Sequence, residues 1–187
     1  MTHDLIEEFR SVVNENYGIY LDSIMGFLLT LESFKEKQKK LAESSNRSIE
    51  DQDQIDFAHY SPPQERYLHT ETQGEFKKRM SWGDKNHNYV GNSFIISIFS
   101  YWEDHYREKI AKSIGVDKIE LKEPIMGDIR RFRNSIIHHR SIALQEIEKC
   151  EVMRIFKEGD LIKFTDKQIL EIVDHINDYL DRFYTSD

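Results

Sequence analysis

The sequence predicts an all-α domain with one small β-hairpin before its last helix, and three observations lead there. Apolar residues recur at three- and four-residue steps over long stretches, as helices with one buried face require. Glycine and proline are scarce, eight and three in 187 residues, about half the usual combined share of about 12%, which disfavours a turn-rich sandwich or barrel. One short segment near the C-terminus changes to alternation around a glycine. Hydrophobic residues at 39% and aromatics at 12% supply burying material for a folded core, despite 32% charged residues and a mean hydropathy of -0.66. The length suits a single domain spanning residues 1–187.

From Leu5 to about Glu43, residues such as Phe9, Val13, Tyr20, Ile24, Leu31 and Phe34 mark the buried face of a long first helix. Gly18 and Gly26 each weaken it by about 1 kcal/mol relative to alanine, so a bend near Gly18 is expected. Ser44 to Ser61 is polar and acidic and reads as a long, mobile surface connection. Ser61-Pro62-Pro63-Gln64 carries a cap, a first-turn proline and a capping-box glutamine, which predicts a helix running toward Met80, with a loop over Trp82 to Asn88. Asn92 to Ile114, apolar around most of its first half, is the predicted central helix. Pro124 opens another, whose series Ile125, Ile129, Phe132 and Ile136 carries it to about Leu144. Val152 to Phe156 and Leu161 to Phe164 flank a Lys157-Glu158-Gly159-Asp160 turn and form the predicted hairpin. Thr165-Asp166-Lys167-Gln168 is a capping box, and Ile169, Ile172, Val173, Ile176, Leu180 and Phe183 complete a final amphipathic helix.

A net charge of -8 and a pI near 5.5 exclude a surface that grips nucleic acid all over, so any such contact is local. The longest apolar stretches, Ile24 to Leu31 and Phe94 to Phe99, fall far short of a membrane span, and the N-terminus carries no basic-then-apolar export signal; a cytoplasmic protein is expected. The single cysteine, Cys150, forms neither an internal disulfide nor a paired zinc ligand.

One segment stands apart from this acidic background. Gly127 to Arg140 holds four arginines and two histidines on one predicted helix. At about 100° per residue, Ile125, Ile129, Phe132, Ile136 and His139 fall within about 80° and face inward. Arg133, Asn134 and His138 share the opposite, polar arc. A permanently charged fork beside a group that titrates near neutrality suits phosphodiester cleavage by acid-base chemistry: one grips phosphate oxygens, the other moves a proton. The adjacent pair His138 and His139 points about 100° apart and makes a poor metal site. Neither a metal nor a cofactor is expected. Glu103, on the preceding helix, reads as a carboxylate that pairs with and orients Arg133, or else as a surface charge. Arg130, Arg131 and Arg140 read as residues that steer RNA, or as solubilising charge. Ile137, apolar among the arginines, suggests that a second subunit covers this face.

Arg133-Asn134-Ser135-Ile136-Ile137-His138 resembles the Arg-x4-x6-His signature of the HEPN superfamily, in the form arginine, polar residue, three variable residues, histidine. The late position of the motif and the aromatic-acidic Tyr101-Trp102-Glu103 on the preceding helix fit the same pattern. The resemblance implies a HEPN-like four- or five-helix bundle that dimerises with its two motifs facing each other. It also implies a metal-independent endoribonuclease leaving 2′,3′-cyclic phosphate ends, in a toxin-antitoxin, abortive-infection or other defence setting, with an antitoxin protein as a possible partner. In that reading His138 is the general base on the ribose 2′-hydroxyl or the acid to the leaving oxygen, Arg133 holds the scissile phosphate, and Asn134 orients the histidine or the phosphate. The alternative is a non-catalytic HEPN-like module that uses the same face to bind a protein partner or a nucleotide.

Overall fold

The hydrophobic period seen in the sequence becomes helix over most of the chain. A computed structural model describes residues 2–61 and 66–184, with the backbone alone for 58–61 and 66–68. The elements are α1 (Thr2–Ser45), α2 (Ile49–Asp53), β1 (Asp56–Ser61), β2 (Arg66–Thr72), α3 (Gln73–Met80), α4 (Lys85–Tyr101), a π-helical turn (Trp102–Tyr106), α5 (Arg107–Ser113), α6 (Pro124–His138) and α7 (Asp166–Asp181). Short 3-10 turns cover Gln145–Lys149 and Arg182–Tyr184. No helix among the described residues is long and apolar enough to cross a membrane.

The chain divides into two compact units, one made by the chain up to Leu21 together with Tyr89 onward, the other by Asp22–Asn88. In the first, α1, α4, α6 and α7 each turn an apolar face inward, with Phe9, Ile98, Ile129, Phe132, Ile172 and Ile176 fully enclosed. Aromatic rings knit this core: Phe9 lies 5.5 Å from Trp102 and 5.1 Å from Tyr106, and Phe132 lies 5.3 Å from Phe164. The Thr165–Gln168 capping box starts α7 as the sequence predicts, each side chain serving the other's backbone N–H.

In the second unit, Phe34, Phe57 and Phe76 pack ring against ring beside Leu31 and Met80. Two expectations change here. Ser44 to Ser61 is not one long connection: α1 runs unbroken through Gly18 and Gly26 to Ser45, and Ser48 with Asp51 caps α2. Nor does a helix fill the stretch from Ser61 to Met80. Residues 66–72 pair antiparallel with 56–61, and the helix begins only where Thr72 and Glu75 form a capping box. Pro62, Pro63 and Gln64, on which the earlier helix start rested, lie outside the described residues.

This places the hairpin in a different part of the chain from the one expected. The Gly159 turn does form, with φ +85° and Lys157 N–H donating to Asp160 Oδ2 at 2.8 Å, but the runs flanking it do not pair with each other. Leu161 bridges to Ile142 instead, and the backbone N–H groups of 151–153 go to a side chain on α6. Alternation marks an extended segment without naming its hydrogen-bond partner.

Helix α6 stops at His138, six residues short of the predicted Leu144. Its terminator is a pair of left-handed residues, Arg140 (φ +53°) and Ser141 (φ +65°), with Ser141 N–H returning to the carbonyls of Ser135 and Ile136 at 3.2 and 3.3 Å. Glycine usually fills the first of these positions, and a Cβ there costs about 1 kcal/mol. Replacing Arg140 with glycine is therefore expected to stabilise the protein by about 1 kcal/mol, raising the melting midpoint by about 2–4 °C in calorimetry.

Candidate functional site

Position 128 shows how α6 is anchored. Asp128 lies about 20° outside the apolar arc of its helix and is fully buried. Its carboxylate accepts the backbone N–H groups of Glu151, Val152 and Met153 at 2.9, 2.8 and 2.8 Å and a guanidinium N–H of Arg131 at 3.1 Å. Three consecutive amides around one carboxylate form an internal anion nest, which ties the chain after the 3-10 turn to the first half of the helix. Cys150 is enclosed beside it, and burial, with the charge of Asp128 second, pushes its thiol up to about 12. The reactive species is the thiolate. Alkylation by iodoacetamide at pH 8 is thus expected to be at least about 100-fold slower for the native protein than for the unfolded chain, as read by mass spectrometry.

With the first half of α6 fixed, its last turns carry the motif. Arg133 Nη1 donates to Asn134 Oδ1 at 3.2 Å and lies 3.3 Å from His138 Nε2. The structure therefore brings together the three residues that the sequence singled out. Arg133 is half-buried and its Nε is enclosed without a hydrogen-bond partner, whereas His138 is exposed on the last helical turn. A guanidinium has only donors to offer, so a hydrogen bond between the two side chains requires Nε2 as its acceptor.

The remaining expected residues fall elsewhere. Glu103 does not position Arg133: its carboxylate pairs with Arg107 and Lys118, each at 2.9 Å. Burial alone would raise its pKa, but Lys118 and Arg107 together hold it below the usual carboxylate value. Arg107 also donates to the Leu121 carbonyl at 3.0 Å, so the cluster fastens the loop that precedes α6. Arg130 and Arg131 line a cleft of ≈ 420 Å³ with Glu103, Arg107, Lys122 and Glu151, and Arg133, Asn134 and His138 are not among its lining residues. Arg131 is committed to Asp128, while Arg130 and Arg140 are exposed. His139, expected in the core, is exposed as well, because the helix ends before a further turn can carry it inward. Of the aromatic residues beside Glu103, Trp102 and Tyr106 are buried in the core, whereas Tyr101 is 45% exposed.

The sequence reading missed Asn92 and Ser135. Asn92 Nδ2 donates to Ser141 Oγ at 3.1 Å, and Ser135 Oγ accepts from Leu144 N–H at 3.2 Å. Both hold the turn that terminates α6. Neither carries a distinct sequence signal: Ser135 lies about 40° outside the apolar arc of α6, and the partner of Asn92 is distant in the chain. Among the described residues, no group of three or more His, Cys, Asp or Glu side chains is placed to hold a metal ion. Comparison of the chain with protein-family models, with curated proteins and with solved structures finds no match.

Proposed function

We propose that the chain is a HEPN-like, metal-independent endoribonuclease whose working residues are Arg133, Asn134 and His138. The observation that carries this reading is the convergence of Arg133 Nη1, Asn134 Oδ1 and His138 Nε2 on the exposed end of α6. In this reading the lone pair of His138 Nε2, which faces Arg133 here, takes the proton of a ribose 2′-hydroxyl once the guanidinium has turned to the phosphate. The oxygen so activated attacks the adjacent phosphorus, the bond to the 5′-oxygen breaks, and that oxygen leaves with a proton returned by the protonated imidazole. The products are a 2′,3′-cyclic phosphate and a 5′-hydroxyl. Arg133 supplies positive charge to the phosphoryl oxygens as negative charge builds on them, and Asn134 keeps the guanidinium in place. Arg130 and Arg140, exposed on and just beyond the same helix, would meet the RNA backbone on either side.

The active form in this reading is a homodimer across the motif face. Ile137, Ile142 and Leu161 support it, being 43%, 43% and 56% exposed, with Ile142 and Leu161 side by side across their bridge. The setting that fits is a toxin-antitoxin, abortive-infection or other defence system, with an antitoxin protein as partner. The same exposed apolar residues favour the second reading, a non-catalytic HEPN-like module that binds a protein or a nucleotide. Incubating the purified chain with a broad RNA panel in chelator, with end-group analysis of the products, separates the two. Cleavage leaving cyclic phosphate ends is expected, and an intact panel would transfer the case to the binding module.

A further inference from the structure

Asn92 stands on α4, 41 residues before Arg133 in the chain, and its side-chain Nδ2 donates to Ser141 Oγ at 3.1 Å. Its carbonyl oxygen is buried with no partner. Making one bond while leaving one acceptor dry contributes little to stability, since the desolvated oxygen offsets the gain. The bond has a specific target, however. Ser141 is the second of two consecutive left-handed residues, a conformation that non-glycine residues hold only when their surroundings over-determine it. The backbone of the turn is fixed on other sides by Ile162 N–H donating to the Ser141 carbonyl at 2.7 Å and Ile142 N–H donating to that of His139 at 2.9 Å. The Asn92 amide adds a side-chain clamp from a different helix. The turn decides where α6 ends, and His138 is its last helical residue, within reach of Arg133 only while that last turn is wound.

We propose that Asn92 is a positioning residue for the Arg133–His138 pair, acting through Ser141: it holds the strained turn so that His138 stays on the helix facing Arg133. The kinetic arm of its test rests on the ribonuclease reading, and the spectroscopic arm does not.

The experiment uses the 187-residue chain carrying Asn92→Leu, Ser141→Gly and both together. Proton exchange at Arg133 Nε and the ring signals of His138 are followed by NMR, alongside melting midpoint and RNA cleavage. Asn92→Leu is expected to keep the melting midpoint within about 3 °C, to speed Arg133 Nε exchange at least about tenfold as the last turn frays, and to lower kcat about 10- to 100-fold with little change in KM. Ser141→Gly removes the same bond, but glycine takes the left-handed conformation freely, so the site signals should persist. On that background Asn92→Leu should have almost no further effect, the non-additivity expected of residues acting in series. Unchanged NMR signals in Asn92→Leu would overturn the proposal, as would an equal effect in both backgrounds. If no RNA is cleaved but the NMR pattern holds, the ribonuclease reading fails and the positioning role stands.

Discussion

Replacing His138 with alanine is expected to lower RNA cleavage about 100- to 10,000-fold, the range that a positioned proton-transfer group supplies. Stability should change by no more than about 0.5 kcal/mol, because the side chain is exposed on the last helical turn. Arg133→Ala should cost about 100- to 1,000-fold, as removing one donor to a developing negative charge does. Arg133→Lys should recover little, because a lysine ammonium cannot reproduce a planar fork that reaches Asn134, His138 and a phosphate together. If both residues serve one step, the double variant should be scarcely slower than the worse single one. Multi-turnover cleavage of a labelled RNA, with circular dichroism of each variant, checks the set. A His138→Ala protein that cleaves at the native rate would remove the histidine from the chemistry.

Asp128→Ala is expected to be the most damaging single substitution for folding. It would leave three amide N–H groups and one guanidinium without their acceptor in a site closed to water. Loss of one partner from a buried charged network costs about 3–5 kcal/mol, which lowers the melting midpoint by about 10 °C. Asp128→Asn keeps the shape and one carbonyl acceptor but not the charge, and should fall between the two. Thermal melts followed by circular dichroism give the order directly. The effect should also reach the cysteine: with the nest open, Cys150 becomes accessible to iodoacetamide, so labelling in Asp128→Ala should approach the rate of the unfolded chain.

Local rules explain what the sequence revealed. The long first helix, the helix starting at Pro124 and the capping box before α7 are written in short-range spacing, and they form where expected. The Arg133, Asn134 and His138 trio was legible in part for the same reason: Asn134 and His138, four apart, share a face, and the long Arg133 side chain reaches across about 100° to 140° of the polar arc to meet them. What escaped depends on partners distant in sequence. The end of α6 is set by Arg140 and Ser141, residue types that do not announce a left-handed turn, and is held by Asn92 and the 159–162 segment. The hairpin shifted because pairing is a choice among extended segments, and residues 151–153 are taken by Asp128. Glu103, read as a partner of Arg133 or as a surface charge, is neither, because Arg107 four residues on and Lys118 beyond the helix end take its carboxylate.

The π-helical turn at Trp102–Tyr106 holds one residue more than an α-helical turn for about the same rotation. Its closing bond joins Arg107 N–H to the Trp102 carbonyl, five residues back instead of four. A chain one residue shorter between Tyr101 and Arg107 would close as ordinary α-helix and leave α5 close to its present orientation, with Ile110 and Ala111 still enclosed. The same deletion in the regular part of α4 would rotate everything downstream by about 100°. This stretch is therefore the one place along α4 and α5 where a change in residue number should be tolerated.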